Sequence, residues 1–285
     1  MKKAGMILAV ILLTSLMAGC IGGKTEVSHS PAGEISSGTP SVSSTASSKF
    51  QQYPREELLK NIKRIHQFSF LENTSVELNI VAERGNFTQN SNATAIYHRR
   101  GYIDLEGKRA DINTTTITFP GGTSVFTRTI IVGGDFYVFF GGRWIKLTNN
   151  SHAFLNNILN MTWKYNIINL TGRYLLGKPF REAFKNGTQL LYYNITNEDL
   201  RTIAEAFLRG DANPTFNVTN GVLELRFRNG VLIGGRMGYH MNVHIQGEYF
   251  GEQVNVYEAG NVYDEFVVFD INIKKRVNPP ELERA

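Results

Sequence analysis

The groups in this 285-residue sequence that could carry chemistry are six histidines, one cysteine and a few alternating carboxylates. His240 and His244 fall on one side of the run HMNVH. Two histidines four apart bind zinc when they lie on a helix with a glutamate between them and a third ligand close by. This run lacks the glutamate, has no third ligand near it in sequence and alternates like a strand, so it reads as polar strand surface and no metal is expected. His29 lies in a Ser/Thr-rich stretch and reads as incidental. Asp104, Glu106 and Asp111 alternate around Gly107 and read as a solvated strand end; one sequence does not single out an acid/base pair among them. There is no G-x-S-x-G elbow, no phosphate loop and no cysteine nucleophile. Gly133-Gly134, Gly141-Gly142 and Gly234-Gly235 precede no helix, so they are turns or bulges rather than anion cradles. The reading is of a non-enzymatic protein without a cofactor.

The cysteine carries a different chemistry. Lys2 and Lys3 precede an apolar run from Met6 to Ala18, followed by Gly19 and Cys20. That is the layout of a secretory signal and is too short to favour a membrane span. Leu16-Met17-Ala18-Gly19-Cys20 resembles a lipobox, which implies removal of residues 1–19 and acylation of Cys20. Two acyl chains hold a protein stably on a membrane, where one does so only marginally. Residues 20–49 then read as the lipidated cysteine and a disordered tether of Ser, Thr, Gly and Pro, which cannot bury enough apolar surface to offset its chain entropy. Asn-x-Ser/Thr occurs ten times, at Asn73, Asn86, Asn92, Asn113, Asn149, Asn160, Asn169, Asn186, Asn194 and Asn217, all beyond the tether. Chance gives roughly two or three, so N-glycosylation of an exported protein is expected. A lipobox-like leader with dense sequons suggests an archaeal cell surface, with the protein on the outer face of the membrane.

The elements that position these groups are mostly strands. Residues 50–285 are long enough for a single all-β domain that buries roughly 70% of its unfolded surface. The net charge of +5 is spread along the chain, with clusters only at Arg99-Arg100 and Lys274-Lys275-Arg276, too little for a nucleic-acid stripe. Pro54 opens a helix over PREELLKNIKRIHQF, with Leu58, Leu59, Ile62 and Ile65 inward. Strands are predicted over 76–82, 93–100, 102–106 and 110–119. A helical insertion near 151–210 follows: a helix over 152–165, another from Lys178-Pro179-Phe180 to Asn186-Gly187, a strand over 190–195, and a helix over 198–208 capped by Thr196 or Asn197. The hairpin Val222–Arg228, Asn229-Gly230, Val231–Gly235 follows. Alternating runs through Tyr239–Gln246 and Val267, Phe269, Ile271 and Ile273 complete an antiparallel sheet.

Residues 125–147 organise the rest: three strand-like runs cut by two Gly-Gly turns. Two-residue turns place Phe140 opposite Arg143, Val138 opposite Ile145, Phe136 opposite Leu147, Ile131 opposite Phe136 and Thr129 opposite Val138. One face then carries Thr127, Thr129, Ile131, Phe136, Val138, Phe140, Ile145 and Leu147, with Arg143 at its end. It is almost free of charge and must be covered, either by helices of the same chain or by an apolar ligand. The other face carries Phe126, Arg128, Ile130, Tyr137, Phe139, Trp144 and Lys146.

This order of leader, tether, N-terminal helix, meandering strands, helical insertion and further strands resembles the lipoprotein-carrier superfamily, which includes LolA, LolB, LppX and LprG. Val132-Gly-Gly-Asp-Phe-Tyr-Val with Gly-Gly-Arg-Trp-Ile-Lys-Leu is similar to paired strands in that group. The resemblance implies an α+β, mainly β fold: a curved antiparallel sheet, or half-barrel, with helices covering its concave face. It also implies a membrane-anchored lipoprotein that holds a lipid or other apolar ligand in the concavity. The alternative is a structural or adhesive glycoprotein of the cell envelope with a fully packed core and no ligand. Apart from the resemblance, Arg143 reads as an ordinary exposed turn residue, with contact to a headgroup as the alternative.

Overall fold

The computed structural model describes residues 52–147, 159, 162–199, 213–249 and 252–282. Eleven strands form one sheet: β1 Gln67–Arg84, β2 Phe87–Asp104, β3 Arg109–Phe119, β4 Thr123–Val132, β5 Asp135–Phe140, β6 Arg143–Leu147, β7 Arg181–Lys185, β8 Thr188–Asn194, β9 Asn213–Arg228, β10 Val231–Tyr249 and β11 Glu252–Phe269. The order across the sheet is β6-β5-β4-β3-β2-β1-β11-β10-β9-β8-β7. Every neighbour is antiparallel. Two meanders, β1 to β6 and β7 to β11, are thus sewn together where the first strand meets the last. The edge strands β6 and β7 lie at opposite ends of the order, so the sheet is not closed into a barrel.

Several strands are longer than periodicity alone predicts. Gly101 reads as a break between two strands, yet β2 runs straight through it. A Cβ there would stand 2.8 Å from the Phe70 ring, so the glycine makes room for an aromatic packed across it. Gly234-Gly235 likewise lies inside β10, beside a register shift against β9. A Cβ on Gly234 would lie 2.3 Å from the Phe266 carbonyl oxygen. These glycines serve close approach rather than chain reversal.

Among the described residues, two helices of eight or more residues flank the sheet: α1 Arg55–Ile62 and α2 Ile167–Leu176. Pro54 precedes the first, as read, but the helix stops at Ile62 and not near Phe68. Phe68 is already in β1, and Ile65 is buried without being helical. The second helix begins at Asn166, whose side-chain oxygen accepts from the backbone N–H of Ile168 and Asn169. It buries Ile168, Thr171 and Leu175. The helix expected from Lys178 to Gly187 is replaced by strand β7. Arg181 to Lys185 pair in register with Tyr192 to Thr188, and cross-strand bonding outweighs a helical pattern with little to bury. Ile271 and Ile273 lie beyond β11, because Asp270 and Asn272 adopt φ of 49° and 57° and turn the chain. Asn272 then accepts from the His66 N–H at 2.9 Å and donates to the Arg64 carbonyl at 3.0 Å, tying the end of β11 to the junction of α1 and β1. Of the helix read over 152–165, all but 159 and 162–165 lies outside the described residues. So does the helix read over 198–208 beyond its first turn, where Thr196 and Asp199 bond reciprocally.

One face of the sheet forms the core. Phe68, Phe70, Val76, Leu78 and Ile80 of β1 meet Ile103, Tyr97 and Ala95 of β2 and Val256, Val262, Phe266 and Val268 of β11. Leu58 and Ile62 of α1 and Ile168 and Leu175 of α2 join the same cluster. The opposite face is polar along β1, β10 and β11, but is covered at one end. Val277 of the C-terminal segment packs on Tyr102, Ile130 and Tyr137, and the Lys275 N–H donates to the Tyr102 hydroxyl at 3.1 Å.

Candidate functional site

The register predicted for residues 125–147 holds at every pair: Phe140 faces Arg143, Val138 faces Ile145, Phe136 faces Leu147, Ile131 faces Phe136 and Thr129 faces Val138. The face carrying Thr127, Thr129, Ile131, Phe136, Val138, Phe140, Ile145 and Leu147 is part of the core face. Ile131, Phe136 and Val138 sit inside the main cluster, with Phe140 and Leu147 packed against it. Thr127 is buried, Thr129 and Ile145 are half-buried, and Arg143 is exposed at the β5–β6 turn. Across the sheet this surface continues through Ile112 and Ala110 of β3, opposite Thr129 and Ile131.

Further along, the same face carries buried carboxyls that the alternation pattern did not single out. Glu258 of β11 lies opposite Ile80 of β1 and Val243 of β10, and is 1% exposed. Neither of its oxygens has a hydrogen-bond partner among the described residues. Burial pushes its carboxyl up to about 8, so it is mostly protonated at neutral pH. Six residues on, Asp264 is also buried and accepts from the Thr74 hydroxyl at 2.7 Å. Burial, then the nearby Glu72 charge, raise Asp264 well above the ordinary carboxylate range, against the Thr74 hydrogen bond and the Arg99 charge. Glu72 pairs with Arg99, whose guanidinium lies 5.6 Å from the Phe70 ring centroid. Burial, with a smaller contribution from Asp264, raises the Tyr239 hydroxyl. The face is therefore apolar overall, with a polar band at Glu72, Thr74, Arg99 and Asp264 and an isolated carboxyl beyond it.

Glu224, on the opposite face, shows what a structural buried carboxylate looks like here. It is 4% exposed, but Arg226 and Arg236 reach it at 2.7 and 2.9 Å. Burial pushes its carboxyl up, yet Arg226, Tyr192 and Arg236 together outweigh this and hold it below the usual range. Glu258 has no such company.

The remaining candidates resolve into surface. His240 bonds to Asn261 and His244 to Asn255, each with a cross-strand neighbour, and His244 stacks on Tyr257 at 4.4 Å. Among the described residues no group of three or more His, Cys, Asp or Glu is arranged to hold a metal ion. Asp104 is not solvated: it is buried and accepts from the Gly107 N–H at 2.7 Å, and a Cβ on Gly107 would meet its carboxylate. Asp111 takes a two-pronged contact from Arg128. Of the sequons, Asn73, Asn86, Asn92, Asn169, Asn186, Asn194 and Asn217 are exposed, while Asn113 is half-buried with an unpartnered, buried side-chain oxygen. Cys20, Asn149 and Asn160 lie outside the described residues. Two open grooves occupy the face opposite the core. One, of about 570 Å³, runs past Tyr192, Glu224, Arg236 and Tyr263. The other, of about 330 Å³, runs past Asn79, Asn242, His244 and Tyr257.

No protein-family model matches the sequence, and no curated protein matches it. Among solved structures, the chain is similar to LprF from Mycobacterium bovis at 11% identity and a TM-score of 0.36, over 79% of this chain and 96% of that one. It is also similar to a DUF1329 family protein from Desulfovibrio piger at 8% identity and a TM-score of 0.21, over 78% and 93% of the two chains. A beta-barrel-like DUF1849 protein from Brucella abortus aligns at 10% identity and a TM-score of 0.20, over 70% and 98%. Likenesses this distant carry no inference about what the chain binds.

Proposed function

We propose that this protein is a membrane-anchored extracytoplasmic lipoprotein that binds a lipid or other apolar ligand against the core face of its sheet, without catalysis. In this reading Cys20 carries the acyl anchor and residues 20–49 the tether. The ligand lies along the face that runs from the eight residues of β4, β5 and β6 to Glu258, and its polar end meets the Glu258 carboxyl. Apolar contact at roughly 25 cal/mol per Å² supplies the affinity, and a few placed polar groups fix orientation.

The observation that carries the reading is Glu258. A buried carboxyl with no hydrogen-bond partner is costly, and native proteins leave few such groups without a purpose. A ligand hydroxyl, amide or amine placed there would satisfy it. The test is titration of the purified protein with an apolar fluorescent probe. The proposal expects saturable binding that weakens roughly tenfold or more in Glu258→Leu for probes with a polar head, and changes little for a plain hydrocarbon. Absence of saturable binding overturns it.

One observation favours a second reading, a structural or adhesive glycoprotein of the envelope. Ile131, Phe136 and Val138 are each only 2–6% exposed, closed within the packed core. Failure of the probe titration, with glycans present on the exposed sequons, would establish that reading instead.

A further inference from the structure

The corner of the molecule where the chain enters its folded part carries an unusual surface. Leu176, at the end of α2, is 68% exposed; Phe180, just before the edge strand β7, is 54% exposed, and Phe184 within it is 42% exposed. Arg173 precedes Leu176 and Lys178 precedes Phe180. Arg181 and Lys185 alternate with Phe184 along β7, so the edge strand carries cations on one side and the ring on the other; all four cations are exposed. Residues 173–185 hold these four cations and one anion, Glu182, a net +3 in a chain whose total is +5. Large apolar side chains interleaved with cations are what an interface with anionic lipid headgroups requires: the rings enter the boundary and the ammonium and guanidinium groups stay at its charged level.

The first described residues are fastened to this corner. The Gln52 amide donates to Glu182 at 3.2 Å, the Tyr53 N–H donates to the Gln189 side chain at 3.0 Å, and the Arg55 guanidinium donates to the Gly177 carbonyl at 2.7 Å. The 51 residues before them therefore join the folded part beside the exposed rings. We infer that Leu176, Phe180 and Phe184, with Arg173, Lys178 and Lys185, form a docking surface for an anionic membrane. The same corner that receives the tether then faces the lipid, and the sheet projects away from it. This rests on the anchored reading for its biological setting, but the surface is tested without the acyl chain.

An edge strand guarded by lysines is also a device against pairing with another copy, and that is the competing account of the same residues. The two separate cleanly. The full chain is made with Cys20→Ser, so that an introduced cysteine is the single thiol, and a fluorophore that shifts to shorter wavelength in apolar surroundings is attached at Phe184→Cys or at Phe87→Cys. Phe87 is 63% exposed at the β1–β2 turn. It lies on the order of 50 Å away along the strands, at about 3.3 Å per residue. Vesicles of phosphatidylcholine alone are compared with vesicles that also contain phosphatidylglycerol.

The expected result is a shift at position 184 with the anionic vesicles only, none at position 87, and loss of the shift in high salt or after Lys178→Gln with Lys185→Gln. No shift at 184, equal shifts at both positions, or a shift at 184 that needs no vesicles and grows with protein concentration each overturns the inference. Flotation of the unaltered chain with vesicles tests the acyl anchor separately. The inference requires Asn186, an exposed sequon next to Lys185 in the β7–β8 turn, to carry no glycan; a glycan found there overturns it, since it would hold the edge strand off the headgroups.

Discussion

Glu258→Gln removes the charge of the buried carboxyl and keeps its shape. Between pH 4.5 and about 8 the unfolded chain has released the Glu258 proton while the folded chain retains it. The folded state therefore binds more protons in that window, and stability falls as pH rises through it. At about 1.4 kcal/mol per pH unit, the group costs about 3 kcal/mol at pH 7 relative to a carboxyl that never ionises, and at most about 5 above pH 8. Urea denaturation followed by tryptophan fluorescence measures this, since Trp144 and Trp163 both pack against core clusters. The variant should match the parent near pH 5, exceed it by about 3 kcal/mol at pH 7, and retain only the shallower slope that Asp264 contributes in the same direction. If the variant were less stable than the parent at pH 7, Glu258 would be a paired carboxylate, and the argument for a partnerless polar group would fail.

Three further outcomes follow from single contacts. Gly260→Ala places a Cβ 1.8 Å from the Glu77 carbonyl oxygen, so β1 and β11 must separate; a loss of at least about 3 kcal/mol is expected in thermal denaturation, and an unchanged melting temperature would contradict that close approach. Asn272→Ala removes the bonds to the His66 N–H and the Arg64 carbonyl and leaves alanine at a φ of 57°; the unfolding free energy from urea denaturation should fall by about 2 kcal/mol, and no change would mean that the junction of α1, β1 and β11 is held by other contacts. Glycopeptide mapping of the protein from its native host should find occupancy at the Asn86 turn and none at Asn113, which faces Arg100 and Arg128 across neighbouring strands; the reverse would show that exposure in the fold does not govern which sequons are used.

The sheet was legible in the sequence because its signals are local. Period-two alternation and Gly-Gly turns fix the β4–β5–β6 register pair by pair, and Asn229-Gly230 fixes the β9–β10 hairpin. What alternation does not reveal is what packs on a face from elsewhere. Gly101 and Gly234 look like breaks until Phe70 and Phe266 are set against them. The helix expected from Lys178 gives way to β7 because Asn186-Gly187, both at positive φ, form a hairpin turn that pairs Lys185 with Thr188, a local signal of the same kind as Asn229-Gly230. Ile271 and Ile273 continue the strand pattern, yet the bonds of Asn272 to Arg64 and His66 turn the chain out of the sheet. Glu258 was invisible for a similar reason. Its neighbours in sequence, Tyr257 and Ala259, give no warning that position 258 falls on the inner face, and only the register with Ile80 and Val243 shows the carboxyl to be enclosed. Asp104 reads as solvated in sequence, but its shelter comes from its own turn at Gly107 and from the fold around it.

The most direct test of the binding account is native mass spectrometry of the protein purified from its host without added lipid, compared with its mass after denaturation and organic extraction. The account predicts a noncovalent adduct of defined mass, released on unfolding, that contains both a hydrocarbon part and a hydrogen-bonding group. A single species with no adduct would contradict it.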